Sequence, residues 1–286
     1  MKLVVDSNQL QDTPQSDRLR RFLSASPSNI AILTDYAAME AYKGDTLASI
    51  YKSMAVLAEY PRQVQVLKST LVVCGLRGRH AGLQRRLIHE AQTAGFPTYA
   101  TNLRRAQAGN KRLEAELLDF GHEATAHLSR MRTDAEKTGR AFTNAALSYS
   151  KAERRAVRQG DVYSTEFVRK AIFHIIQVAT LAFTEHPRVL TRPPTEELPN
   201  TYIFRAALCM HLLMLDWAAR GGAEAASPER LRNDIVDVNF AAYATYFDGL
   251  LSGDAKANRL HSEARLWLTA VFGAELPSGW QGAQFE

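Results

Sequence analysis

Residues 2–8 read KLVVDSN and residues 29–35 read NIAILTD, and these two stretches decide the fold class. Each is a short apolar run that ends in polar residues, which is typical of a buried strand leading into a loop. Between them, Leu19, Phe22 and Leu23 repeat at helical spacing. The strand–helix–strand order predicts an α/β fold with a parallel sheet, in which functional groups gather at the carboxyl ends of the strands.

Two later segments extend this pattern. QVQVLKSTLVVCGL, residues 63–76, predicts a third strand running into a helix, and GLLSGD, residues 249–254, predicts another short strand that ends in an acid. The Ala-rich stretch from about residue 36 into the sixties predicts one helix in spite of Gly44. Further helices are expected over residues 203–220, from Ser227 to about Phe247, and from Leu260 to Val271.

The middle of the chain has a different composition. From about residue 78 to residue 184 it reads as helix, and residues 62–160 contain 18 Lys or Arg against 8 Asp or Glu. We therefore expect a core formed by residues 1–75 and 201–286, with a basic helical insertion over residues 76–200. An excess of positive charge favours a polyanionic partner. The arginines expected to contact nucleic acid are Arg77, Arg79, Arg85, Arg86, Arg104 and Arg105.

Composition excludes several classes of protein. The chain is 46% hydrophobic and 23% charged, as expected for a globular protein. Its two cysteines, Cys74 and Cys209, lie far apart, which supports neither a disulfide framework nor a cysteine-based zinc site. No Walker loop, GxGxxG motif after a strand or GxSxG elbow occurs. We see no apolar run of roughly 20 residues, and so expect a cytoplasmic protein that does not enter a membrane.

Carboxylates are the candidate functional groups. Asp6 and Asp254 each follow a predicted strand, so in a parallel sheet both lie at the same edge. Asp234 and Asp237 are three residues apart on the helix before the last strand and share one face, and Asp248 follows that helix as a supporting acid. Carboxylates held together repel unless a divalent cation neutralises them. A site for Mg²⁺ or Mn²⁺ is therefore implied, of the type that hydrolyses phosphodiesters.

Three motifs carry a resemblance to a known family: VVDSN at residues 4–8, TDYAAMEA at residues 34–41, and DVNFAAYATYFDGLLSGD at residues 237–254. In this order they resemble the PIN-like nucleases. The resemblance covers about half the chain, leaves the middle without a counterpart, and implies a three-layer α/β/α core. It implies that Asp6, Glu40, Asp237 and Asp254 are the metal-binding acids, that Ser7 and Ser252 support them, and that Asn233 with Asp234 forms an additional pair.

By this resemblance the chain is expected to be a metal-dependent endonuclease that acts on RNA more readily than on DNA. A role as a toxin or in defence is an expectation of the same kind. An inhibitor or antitoxin protein and a second copy of the chain are further expected partners.

Two alternatives stay open. Asp6 and Asp254 also suit the caps of the helices that follow them, Glu40 suits a solvated helix surface, and Asp234 suits the first turns of its helix. The chain would then be a non-catalytic nucleic-acid-binding or protein-binding module. Separately, Arg169 and His174 in RKAIFH fit an R-x4-H pattern that resembles HEPN-type ribonucleases, which need no metal.

Overall fold

Four short strands form one parallel sheet in the computed structural model, which describes residues 1–11, 17–44, 46–78, 80–161, 163–188, 190–221 and 227–273. The strands are β1 (Lys2–Val5), β2 (Ile30–Leu33), β3 (Val64–Val66) and β4 (Gly249–Leu251), in the order β3-β2-β1-β4. All four predicted strands are confirmed. The first and last strands of the chain are neighbours, and all four carboxyl ends point to one edge.

Helices cover both faces of this sheet. Leu3 to Val5 and Ala31 to Leu33 are buried without interruption. Because successive residues of a strand point to opposite faces, unbroken burial requires packing on both sides. The chain is therefore a mixed α/β protein, with far more helix than strand.

Twelve α-helices lie within the described residues. They are α1 (Asp17–Ala25), α2 (Asp35–Tyr42), α3 (Leu47–Glu59), α4 (Thr70–Val73), α5 (His80–Leu87), α6 (Glu90–Gln107), α7 (Lys111–Ala146), α8 (Lys151–Gln159), α9 (Thr165–Thr184), α10 (Tyr202–Ala219), α11 (Pro228–Ala244) and α12 (Ala255–Ala270).

The helix expected from residue 36 into the sixties is two helices, and the prediction of one was wrong. Gly44 has a φ of 101°, a left-handed conformation that ends α2 and that glycine adopts at little cost. The Thr46 hydroxyl then accepts a hydrogen bond from the Ser49 N–H at 3.2 Å and caps α3.

The basic helical region packs into the same core as the sheet. α6 contacts α3 and β3, and α7 contacts α2, α10 and α11. α7 and α11 approach closely at Gly139, where a side-chain carbon would lie 3.0 Å from Leu231. One hydrophobic core therefore spans residues from all three predicted segments.

Two helices are long and apolar enough, by length and composition alone, to cross a membrane. In α10, 78% of the 18 residues are buried inside the protein, as expected of a core helix, whereas only 28% are buried in an 18-residue stretch of α9. The sequence-based expectation of no membrane contact stays a prediction.

Candidate active site

Asp6 occupies the carboxyl end of β1 and is buried. Its Oδ2 accepts hydrogen bonds from Ser252 Oγ and, at 2.6 Å, from Asn8 Nδ2. The Asn8 N–H donates to Oδ1 at 3.3 Å, so Asp6 also caps the 3-10 turn Ser7–Gln9. Burial raises the pKa of Asp6, and these hydrogen bonds oppose that shift.

Glu40 reaches the same place from α2. Ser7 Oγ lies 3.3 Å from Asp6 Oδ1 and 3.3 Å from Glu40 Oε2, and so bridges the two acids. Two cations accompany Glu40, with Lys43 Nζ 2.8 Å from Oε2 and Arg232 Nη2 3.9 Å from Oε1. Glu40 Oε1 is buried and accepts no hydrogen bond from the residues that the structure describes.

Asp237 links α11 to these acids. Its pKa is raised to about 8, chiefly by burial and in addition by the charges of Asp6, Asp254 and Glu40. No described residue donates a hydrogen bond to its carboxylate. The side chains of Asp6, Glu40, Asp237 and Asp254, called the four acids below, are therefore close enough to repel one another through poorly solvated surroundings.

Asp254 follows β4 and begins α12. Its Oδ1 accepts hydrogen bonds from the N–H groups of Lys256 at 2.6 Å and Ala257 at 3.1 Å, which makes it the helix cap. Its own N–H donates to Ser252 Oγ at 2.9 Å, and Ser252 Oγ donates in turn to Asp6. Ser252 thus connects the acids that follow β1 and β4.

Asp234 takes a different partner from Asp237. It is buried and forms an ion pair with Lys256 Nζ through Oδ1, while Oδ2 accepts no hydrogen bond within the described residues. Burial lowers the pKa of Lys256 to about 8. Asn233 is exposed and accepts from Arg232, so among described contacts it does not meet the acids. Of the two aspartates on α11, Asp237 is the one with Asp6, Glu40 and Asp254 as neighbours.

Asp248 lies at the opposite edge of the sheet, so the structure does not bring this predicted supporting acid next to the four acids. Its N–H donates to the Lys2 carbonyl at 2.9 Å, and its Oδ2 accepts from the Lys2 N–H at 2.6 Å. Lys2 begins β1, and Asp248 directly precedes β4. At about 3.3 Å per residue, the length of β4 separates Asp248 from Ser252 by about 13 Å.

The donor set suits a hard divalent cation, although no three His, Cys, Asp or Glu side chains among the described residues are already arranged to hold a metal ion. Carboxylate oxygens are the ligands that Mg²⁺ and Mn²⁺ prefer. Glu40 Oε1 and Asp234 Oδ2 are buried acceptors without donors among the described residues. A cation beside the four acids would relieve both the repulsion at Asp237 and the unpaired oxygen of Glu40.

Sequence reasoning did not find the cations around the acids: Lys43, Arg232 and Lys256. Lys43 lies three residues after Glu40 on one helix face, and that spacing could have indicated it. Arg232 and Lys256 meet Glu40 and Asp234 only through tertiary packing, for which a single sequence carries no signal.

Three of the arginines predicted to bind nucleic acid donate hydrogen bonds to backbone carbonyls of this chain. Arg104 Nη2 donates to the Ala58 carbonyl at 2.6 Å, Arg77 donates to the Thr191 carbonyl, and Arg86 donates to the Arg77 carbonyl. Two more, Arg85 and Arg105, are exposed. Arg79 lies outside the described residues.

A basic groove of about 630 Å³ includes Lys68, Arg85, Arg86 and His89 in its lining. The His89 N–H donates to the carbonyl of Val66, the last residue of β3. The groove therefore lies at the same edge of the sheet as the four acids.

The alternative pair, Arg169 and His174, lies on α9. His174 Nδ1 is 3.2 Å from Tyr149 Oη, which is 3.0 Å from His211 Nε2. Burial lowers the pKa of His174. His174 therefore packs between helices, in contact with Tyr149 and His211. The Arg169 side chain is exposed.

Comparison of the chain with protein-family models, with curated proteins and with solved structures finds no match.

Proposed function

We propose that this chain is a metal-dependent endonuclease with a PIN-like core. The observation that carries the proposal is the set of contacts at the carboxyl edge of the sheet: Ser7 Oγ lies 3.3 Å from both Asp6 and Glu40, and Ser252 Oγ joins Asp6 to the N–H of Asp254. Burial and the charges of these three acids raise the pKa of Asp237 to about 8. Acids that perturb one another in this way cluster at functional sites. An acid that only caps a helix, or that lies on a solvated surface, does not require other carboxylates close to it.

The four acids would hold Mg²⁺ or Mn²⁺ at the carboxyl edge of the sheet, with Ser7, Asn8 and Ser252 keeping the carboxylates oriented. When bound, the cation supplies positive charge where negative charge develops on a phosphodiester. Lys43 and Arg232, beside Glu40, would reduce the repulsion between the acids and an approaching polyanion.

The substrate class follows from charge. The basic groove beside β3 offers Lys68 and Arg85 at the same edge of the sheet, about two strand spacings of 4.8 Å from β1. A nucleic-acid strand bound there could extend to the four acids. The preference for RNA over DNA, and a role as a toxin or in defence that an antitoxin protein restrains, rest on the family resemblance alone.

Cleavage of single-stranded RNA and DNA by the purified chain with Mn²⁺ is the test. We expect cleavage that EDTA abolishes, and a loss of at least about 100-fold in Asp6→Asn. Asp248→Asn is the matched control, because Asp248 is an acid next to a strand end at the opposite edge of the sheet. Absence of cleavage, or full cleavage by Asp6→Asn, would contradict the proposal.

A second candidate is a non-catalytic nucleic-acid-binding module. It is favoured by the hydrogen bonds of Asp6 and Asp254, both of which cap the helices that follow them. Binding of RNA that persists in EDTA, without cleavage in Mn²⁺, would support this candidate over the nuclease.

A further inference from the structure

Helix α9 presents one ridge to the core and the opposite ridge to solvent. Its buried side chains recur every four residues, at Phe167, Ala171, Ile175, Ala179 and Phe183. The ridge two residues further on consists of Arg169, Phe173, Gln177, Leu181 and Glu185, and all five are exposed. We call these five residues the outer ridge of α9. At about 100° per residue, each lies nearly opposite a buried residue.

The outer ridge carries an apolar patch. Phe173 is 59% exposed and Leu181 is 55% exposed, and Val178 is exposed beside them. Leu147, at 77% exposure, is another exposed apolar residue in this part of the chain: the carbonyl of the next residue, Ser148, accepts a hydrogen bond from Lys170 on α9. Clustered apolar side chains at a surface mark an interaction site, whereas single ones need no explanation. None of the described residues covers this patch.

The order of residues along the outer ridge is symmetric about Gln177. Phe173 and Leu181 lie four residues to either side of it, and Arg169 and Glu185 lie eight residues to either side. When two such helices pack antiparallel across a two-fold axis at Gln177, Phe173 faces Leu181 of the second copy. Arg169 then lies near Glu185 of the second copy, and the two Gln177 amides meet at the axis.

Charge supports the same pairing. Neither the Arg169 nor the Glu185 side chain has an ion pair or hydrogen bond with the described residues. Ridges of residues four apart interdigitate with ridges of the same kind at a crossing angle of about −50°, the commonest helix packing in globular proteins. At about 1.5 Å per residue, α9 is about 30 Å long, which gives room for both apolar contacts and both charge pairs.

We propose that the outer ridge of α9 is the contact of a two-fold homodimer of this chain. A two-fold interface must be self-complementary, and a ridge that is basic at one end and acidic at the other meets that requirement. A lipid surface would not require opposite charges at equal distances on either side of Gln177. The proposal does not depend on the nuclease activity, because no residue of the four acids lies on α9.

Sedimentation velocity of the full chain over a concentration series tests the interface. We expect a monomer–dimer equilibrium and a monomer for Phe173→Asp. Leu266→Asp is the matched control, since Leu266 is 64% exposed on α12 and lies outside the outer ridge. Circular dichroism checks that both variants keep their helices. If Phe173→Asp dimerises as strongly as Leu266→Asp, the proposal is overturned.

Charge reversal gives a second, independent readout. Arg169→Glu alone and Glu185→Arg alone each place like charges opposite one another, and should weaken dimerisation at least about tenfold. The double variant Arg169→Glu with Glu185→Arg restores opposite charges and should recover dimerisation. Failure of the double variant to recover, or a wild-type chain that is monomeric throughout, would contradict the interface. A monomer that floats with phospholipid vesicles would contradict it as well and indicate a membrane-facing helix.

Discussion

At the scale of a single residue, burial and the charges of Asp6, Asp254 and Glu40 raise the pKa of the Asp237 carboxyl. Between the ordinary aspartate pKa of 3.8 and about 8, the folded protein holds a proton on Asp237 that the unfolded chain has released. The folded state binds more protons in this window, so the metal-free protein loses stability as the pH rises through it. Ligation requires the carboxylate, so affinity for a divalent cation rises over the same range.

Replacement of this side chain should remove the pH dependence. Asp237 accepts no hydrogen bond from the described residues, so Asp237→Asn loses little besides the buried charge. We expect the variant to exceed the wild type by about 1–3 kcal/mol in free energy of unfolding near pH 9 in EDTA, and to match it more closely near pH 5. Urea unfolding at the two pH values measures this difference. If the free energy of unfolding changes equally with pH in the two proteins, Asp237 is not the source of the pH dependence.

At the scale of elements, α12 tests whether Asp254 is a cap or a site residue. Asparagine caps a helix about as well as aspartate, whereas alanine does not. Asp254→Ala should therefore lose about 1 kcal/mol of stability through the N–H groups of Lys256 and Ala257. Asp254→Asn should keep most of that stability and still lose metal-dependent cleavage. If Asp254→Asn and the wild type cleave equally, Asp254 acts only as the cap of α12.

The sequence predicted the secondary-structure elements better than it predicted contacts between side chains. Short apolar runs located the strands, and parallel pairing alone brought Asp6 and Asp254 to one edge. Glu40 required the family resemblance, since an acid on an Ala-rich helix has no distinctive pattern. The choice between Asp234 and Asp237 could not be predicted, because both share a face of α11 and differ only in their contacts across the fold. The break at Gly44 was missed because propensity alone does not reveal a positive φ.

At the scale of the whole molecule, the positive charge of the middle segment should control binding. Removal of one phosphate-binding cation reduces the slope of log affinity against log salt by about 0.7 for a single strand. With Asp6→Asn as the inactive background, we expect Arg85→Ala to weaken RNA binding and to reduce this slope. Arg21→Ala on α1, which removes one charge from a surface pair with Asp17, serves as control. Identical slopes for the two variants would exclude Arg85 as a phosphate-binding residue.

The pairing of β1 with β4 joins residues that are 246 positions apart. During synthesis, Asp6 leaves the ribosome long before Asp254 has been translated. A prematurely terminated chain can fold its early helices, but it lacks the strand and the acid that complete the carboxyl edge. If the edge is a nuclease site, the protein becomes active only after β4 and Asp254 have left the ribosome. The position of β4 would then delay activity until that strand has been translated and paired with β1.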